Sequence, residues 1–398
     1  MKLIKLGAIT LVILGLSGNV SAAQTLESAF KDGKIDGTLK AFYFNRNNQN
    51  TPSNITDLGI VLNYITASYK GFNAGFSAEG ASTQNINENG KTAFNDDMYG
   101  TGAVLSQAYV KYTISDAYFK VGRQYIDTPL VANDDSRIVK DSFEGFVASY
   151  SGIKNTILTA VYISKFQDRS NKNGSIGTFE NISNASSNDG AWSVALTSAI
   201  DKFELTAAYL QVIQNIGDIS ALYAEGIYHT KYDTSIIDVA VQYFQGKDKS
   251  DTTGSNDGNT YAFQISSSFD KLSAYIAYSH NSKDKATFAG IGNGSGPLYT
   301  AAPIAEANFD ANYQITVLNL EYALSNELSA YLFYSHDHLR ATDTITTSSY
   351  DIYSIGASYA FPRTLKGLNT TLQYEIKDYK FSEISNDKEF RVKIKYNF

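Results

Sequence analysis

Cysteine is absent from the sequence, which excludes thiol nucleophiles, thiolate metal sites and disulfide frameworks and suits a chain that crosses an oxidising compartment. Long apolar runs are missing beyond the first two dozen residues. No later stretch approaches the ~18 to 20 apolar residues of a spanning helix, and a mean hydropathy of −0.23 excludes a bundle of such helices. A basic excess is missing too: 33 lysines and arginines stand against 40 acids, a net charge of −7, so no nucleic-acid partner is expected. With only five prolines, and no linker-like shift in composition, nothing divides the 398 residues into separate domains.

Catalytic and metal-binding constellations are also wanting. The four histidines, His229, His280, His336 and His338, accompany no recognisable serine and acid arrangement, and the chain does not read as an enzyme. His336-Asp337-His338 lacks an identifiable third ligand, so neither a metal nor another cofactor is expected. Gly290, Gly292, Gly294 and Gly296 miss the phosphate-cradling G-x-G-x-x-G spacing at Ser295 and read as a flexible loop.

What is present begins with a leader. Lys2 and Lys5 precede an apolar run from Leu6 to Leu16, then small residues up to Ala22 and Ala23, the three parts of a secretory signal peptide. Residues 1–22 are expected to be removed. Losing two lysines and no acids leaves 31 basic against 40 acidic residues, a net charge of −9. Residues 23–36 would form a short periplasmic segment, and 37–398 the body of the protein.

That body alternates with period two. Leu328, Ala330, Leu332 and Tyr334 interleave with Ser329, Tyr331, Phe333 and Ser335, and Leu272, Ala274, Ile276 and Tyr278 with Ser273, Tyr275, Ala277 and Ser279. Such segments are strands with one apolar face. Boundaries at Gly, Asn, Asp and Ser clusters give about eighteen, with sixteen possible. Short turns such as Ser115-Asp116, Asp201-Lys202 and Asp270-Lys271 alternate with mostly longer, polar connections at 47–56, 81–103, 125–141, 167–188, 247–257, 282–312 and 338–349. Loop lengths sorted in this way fit an all-β, transmembrane antiparallel barrel of the outer membrane of a Gram-negative bacterium, with short periplasmic turns and long extracellular loops. Closure follows because lipid offers no partner to an open strand edge. The 29 tyrosines and 22 phenylalanines would supply the aromatic girdles.

The last strand carries information about the interior. Phe390, Val392, Ile394, Tyr396 and Phe398 share one face, and Glu389, Arg391, Lys393, Lys395 and Asn397 the other. A lysine or arginine facing lipid near the midplane costs ~2 to 4 kcal/mol, so Arg391, Lys393 and Lys395 are expected to point into the lumen. Lys40 and Arg46 on the first strand, with Lys111 and Lys377, extend this into a basic strip along which an anion passes from site to site. The connection 125–141 is stiffened by Pro129, lined by Asp127, Asp134, Asp135 and Arg137, and long enough to fold inward and narrow the barrel; on these residues alone an ordinary exposed loop fits equally well.

Three segments resemble the OprD family of outer-membrane porins: Val121 to Arg137 followed by Phe143-Glu144-Gly145, the glycine-rich Phe288 to Gly296, and Leu39 to Arg46. The resemblance implies an eighteen-stranded channel, narrowed by inward loops, that passes small hydrophilic solutes, often carboxylates such as amino acids. Arg46 and Arg391 match arginine-bearing positions of the first and last strands, and Asp135, Ser136 and Arg137 match the loop motif, with Asp134 and Tyr299 as further matches. Lysines at 393 and 395 depart from the arginine pattern and exchange a planar fork for a point charge. The terminal Phe398, with Tyr396, resembles the signal read by the barrel assembly machinery. Outer-membrane lipid and lipopolysaccharide are the remaining expected partners, and the chain is expected to be a monomer or a weak homotrimer. The alternative is an adhesin or structural barrel acting through its surface loops.

Overall fold

The computed structural model describes residues 22–182, 190–214, 217–251, 254–340, 349–380 and 384–398. Apart from Ala22, the leader lies outside the described residues. Eighteen strands form the wall: β1 Lys34–Asn48, β2 Thr51–Ile65, β3 Phe72–Ile86, β4 Gly100–Ile114, β5 Ala117–Gln124, β6 Ser142–Ile153, β7 Thr156–Gln167, β8 Ala191–Ile200, β9 Phe203–Val212, β10 Ile219–Tyr232, β11 Ser235–Asp248, β12 Asn259–Phe269, β13 Leu272–Asn281, β14 Tyr313–Ala323, β15 Leu328–Leu339, β16 Tyr350–Ala360, β17 Leu368–Tyr379 and β18 Asp387–Asn397. Each pairs antiparallel with its chain neighbours. The ring closes where β1 meets β18, in a register running from Thr38 opposite Asn397 to Asn47 opposite Lys388. No strand edge of the wall is left for lipid to cover.

Alternation decides which side chains face out. Along β12, Tyr261, Phe263 and Ile265 are exposed on the outer surface, while Thr260, Ala262 and Gln264 are buried on the inner one. Aromatic pairs mark the two ends of the wall. Trp192 lies 5.3 Å from Tyr209 and Tyr243 lies 5.0 Å from Tyr261 near the loop end, and Phe203 lies 5.1 Å from Tyr228 near the turn end. Rings at these depths place a flat apolar body in lipid and a polar edge in the headgroups.

Five of the periplasmic turns are tightened by a residue in a left-handed conformation: Ser115, Asn155, Asp201, Asp233 and Asp270 all have φ between +47° and +54°. Asparagine and aspartate tolerate that conformation by bonding locally to the backbone, which explains their recurrence there. One connection differs from the sequence pattern. The polar stretch 47–56 is not a loop: Asn48 pairs with Thr51, and Gln49 and Asn50, with φ of +48° and +67°, close a two-residue hairpin. Its residues carry no apolar alternation, so they read as loop although their backbone continues the wall.

Loops fill much of the barrel. The segment 125–141 folds inward and packs edge to edge on the glycine-rich segment 288–296. The Ile291 N–H donates to the Leu130 carbonyl (2.9 Å), the Gly294 N–H to Ala132 (3.0 Å) and the Gly296 N–H to Pro129 (3.0 Å). A Cβ on Gly292 or Gly294 would lie 2.2 Å or 2.3 Å from a carbonyl oxygen of the facing segment. The glycine run is therefore a packing surface rather than a free loop. Its missing side chains are what lets the two backbones touch.

Candidate functional site

On the lumen side the closing seam meets the inward loops. Strand alternation puts Lys40, Phe42, Phe44 and Arg46 of β1 on the lumen side, and register sets them opposite Lys395, Lys393, Arg391 and Glu389 of β18. Phe42 and Phe44 are buried and stacked, with ring centroids 6.1 Å apart. They form a floor beneath the cations: the Arg391 guanidinium lies 4.6 Å from the Phe44 ring, Lys393 Nζ 5.7 Å from the same ring, and Lys395 Nζ 5.7 Å from Phe42. Such placement is attractive through the ring quadrupole and stiffens long side chains.

Carboxylates from the loops and the wall neutralise most of this strip. Asp135, on the inward loop, accepts from Lys40 Nζ (2.6 Å) and Lys395 Nζ (2.7 Å), and Lys40 also donates to the Ile138 carbonyl (3.2 Å). Glu389 accepts from Arg46 Nε (2.9 Å) and Arg391 Nε (2.7 Å). Asp97, from the loop that carries the short helix Glu88–Ala93, accepts from Arg46 (3.0 Å) and from Arg137 Nε. Arg137 also donates to Glu306 (2.9 Å), and Arg169 donates to Asp134. Six cations, Lys40, Arg46, Arg137, Arg169, Arg391 and Lys395, are thus joined to five carboxylates, Asp97, Asp134, Asp135, Glu306 and Glu389. Among the described residues Lys393 has no carboxylate within ion-pair distance.

The loop carboxylates respond to this field. Burial alone would raise Asp97, but Arg137, Arg46, Arg391 and Arg169 outweigh it and bring its pKa down to about 2. Burial likewise works against Asp135, and Lys40 and Lys395 bring it down to about 2. Asp141 moves the other way, to about 6, because its burial outweighs the backbone N–H groups of Asp134 (2.6 Å) and Asn293 (2.9 Å) that it accepts from. Through those two bonds Asp141 ties the inward loop to the glycine-rich one. A third loop contact reaches the wall where Glu375 of β17 accepts from the N–H groups of Ile304 (3.0 Å) and Ala305 (2.8 Å). Between these loops lies a cavity of about 780 Å³ lined by Arg137, Asn293, Tyr299 and Glu306 among others.

The other sequence-derived residues sit apart from this cluster. Lys377 is on the lumen side near the loop end, 3.8 Å from the Tyr350 ring. Lys111 is on β4 near the turn end, 4.5 Å from the Tyr118 ring. Asp127 is exposed in a two-residue pairing of the inward loop with Val131–Ala132. Tyr299 is buried and donates to Glu225 (2.6 Å). Tyr396 and Phe398 are exposed on the outer face, stacked with centroids 6.2 Å apart. Sequence reasoning missed Asp97, Arg169 and Glu306, which stand on loops without periodicity, and Lys120 and Lys140. Only Lys120 had a signal: it alternates with the outward Phe119 and Val121.

The family model for outer membrane porins of the OprD family matches residues 28–397. The chain belongs to that family. OprD-family porins are outer-membrane β-barrel channels for small solutes, and the closed eighteen-strand antiparallel ring is their architecture. Similar solved structures include OpdK of Pseudomonas aeruginosa with vanillate (TM-score 0.77, 15% identity, 93% of this chain and 99% of that one). OccK2 (OpdF) of Pseudomonas aeruginosa in complex with glucuronate has a TM-score of 0.76 at 15% identity, again over 93% of this chain and 99% of that one. OccAB3 of Acinetobacter baumannii has a TM-score of 0.76 at 14% identity, over 92% and 99%. No curated protein matches the chain. At these identities the structures establish the OprD-family fold.

Proposed function

We propose that this OprD-family porin is a passive channel that favours small carboxylates over neutral and cationic solutes of similar size. The observation that carries the reading is the position of Lys393, which stands among the ion-paired cations of the seam, on its aromatic floor, with no carboxylate within ion-pair distance among the described residues. An anion that reaches Lys393 meets a charge it does not have to win from a protein carboxylate, between ion-paired neighbours that share the load. Stepwise sites of modest strength permit entry and exit, as conduction requires. Vanillate and glucuronate, the compounds bound in two of the similar porins, are both carboxylates and support the same preference.

Liposome swelling with glucuronate and glucose, matched in size but not in charge, tests the proposal. Faster entry of glucuronate, reduced by Lys393→Gln, is the expected result. Equal rates in the wild-type channel would refute it.

A further inference from the structure

At the periplasmic end of the barrel an apolar surface continues past the wall, onto the segment that leads into β1. The short helix Leu26–Lys31 starts at Thr25, whose hydroxyl accepts from the Ser28 N–H (3.0 Å). It packs on the turn between β2 and β3 through Ala29, which is buried and whose carbonyl accepts from the Ala67 N–H (2.8 Å). Leu26 and Phe30, four residues apart, share the helix face beside Ala29, yet they are 61% and 49% exposed. Ile35, the second residue of β1, is 74% exposed. Glu27 and Lys31 take a different face, so the helix is amphipathic with its apolar side left open.

The wall sets the direction of that open side. Tyr64 of β2 is in phase with the exposed Leu58, Ile60 and Leu62 and so faces out. Ile35 and Phe76 are its direct partners on β1 and β3 and share its face, and the Tyr64 and Phe76 rings stack with centroids 6.5 Å apart. The Tyr64 hydroxyl donates to the Phe30 carbonyl. A Cβ on Gly33 would lie 2.5 Å from the Tyr64 ring, so glycine is what lets the ring cross the chain and reach the helix. A residue of the aromatic girdle thus straps the helix to the outer foot of the wall. We propose that Leu26, Phe30 and Ile35 form a foot that seats the porin on the phospholipid of the periplasmic leaflet and extends the lipid-facing surface beyond the last strand residues. Apolar side chains held at that depth gain by leaving water for the boundary between headgroups and chains. Charge is not the attraction, because Lys31 and Lys34 stand beside Glu27 and Asp32 on the same segment. A zwitterionic phospholipid therefore suffices, whichever solute the channel passes.

Tryptophan reporters in the whole porin, folded into phosphatidylcholine vesicles, test the foot. Trp192, the single native tryptophan, is removed as Trp192→Phe, and either Phe30→Trp or Glu27→Trp is added, with folding checked by heat-modifiable migration. Quenching by phosphatidylcholine brominated near the headgroup end of its chains is compared with quenching by iodide present on both sides of the membrane. The foot predicts that the reporter at residue 30 is quenched by the brominated lipid and is severalfold less open to iodide than the reporter at residue 27. Lipid quenching at residue 30 should be unchanged in high salt. A reporter at residue 30 as open to iodide as the one at residue 27, and untouched by the brominated lipid, would overturn the proposal. Shielding of residue 30 from both quenchers would also overturn it, and would assign the face to a protein neighbour such as a second copy of the chain. Loss of lipid quenching in high salt would refute an apolar seat.

Discussion

Gly292 abuts the Ala132 carbonyl so closely that a Cβ at residue 292 would lie 2.2 Å from its oxygen, and the backbone there has a φ of +89°. Both the contact and the conformation demand glycine. The pair joins the glycine-rich loop to the inward loop, so the inward loop is held by backbone packing and not by side chains alone.

Gly292→Ala is therefore expected to cost about 1 to 3 kcal/mol in local strain and to release the inward loop from its support. Single-channel recordings should show a larger mean conductance with more open-channel noise. A variant with wild-type conductance and noise would show that the wall contacts at Glu375 and the ion pairs hold the loop unaided.

Asp135 neutralises Lys40 and Lys395 together. Asp135→Asn leaves one oxygen to accept a hydrogen bond and no charge, so the strip gains a net positive charge. Anion preference, measured as reversal potential under a KCl gradient, should increase. A decrease would mean that Asp135 acts mainly by holding the loop in place.

The same carboxylate makes a prediction about pH. Its folded pKa is depressed from 3.8 to about 2, so its stabilising pairs are fully present above 3.8 and are lost as pH falls through about 2. The difference in reversal potential between wild type and Asp135→Asn should stay constant from neutral pH down to about 4. A difference that closes on acidification well above that point would show that Asp135 is less strongly paired than its geometry indicates.

Ile276, 60% exposed at the middle of β13, faces lipid. Ile276→Arg should destabilise the folded barrel by about 2 to 4 kcal/mol, read from denaturant titration in lipid vesicles. Arginine on the lumen side at the neighbouring Ala277 would not carry that lipid cost, although it would have to fit beside buried neighbours. Equal stability of Ile276→Arg and wild type would contradict the assigned face.

Phe398 and Gly37 exchange two backbone hydrogen bonds of 3.0 Å, from Gly37 N–H to the Phe398 carbonyl and from Phe398 N–H to the Gly37 carbonyl. The last residue thereby extends the seam that closes the ring. Its removal should lower the yield of assembled protein in the outer membrane, quantified by heat-modifiable migration. An unchanged yield would argue against an assembly role for the terminal aromatic residue.

The wall was legible in the sequence because lipid imposes a rule with few exceptions: outward positions such as Val392, Ile394 and Tyr396 must be apolar, and alternation then assigns Arg391, Lys393 and Lys395 to the other face. The hairpin at Gln49-Asn50 escaped that rule because it stands beyond the apolar band. The constriction was legible only in part. Asp135 and Arg137 carried a family motif, but their partners Asp97 and Glu306 come from loops separated from them by dozens of residues, where no period links position to direction. Gly290 to Gly296 read as flexible because glycine permits both disorder and close packing, and only the facing carbonyls of Leu130 and Ala132 decide between them.

Carboxylate passage requires a lumen that favours anions. Single-channel reversal potential of the wild-type porin under a KCl gradient, repeated for Arg391→Gln/Lys393→Gln/Lys395→Gln, measures this directly. Discrete conductance steps with anion preference in wild type, reduced in the variant, are the predicted result. Steps that favour cations in the wild-type channel would contradict it.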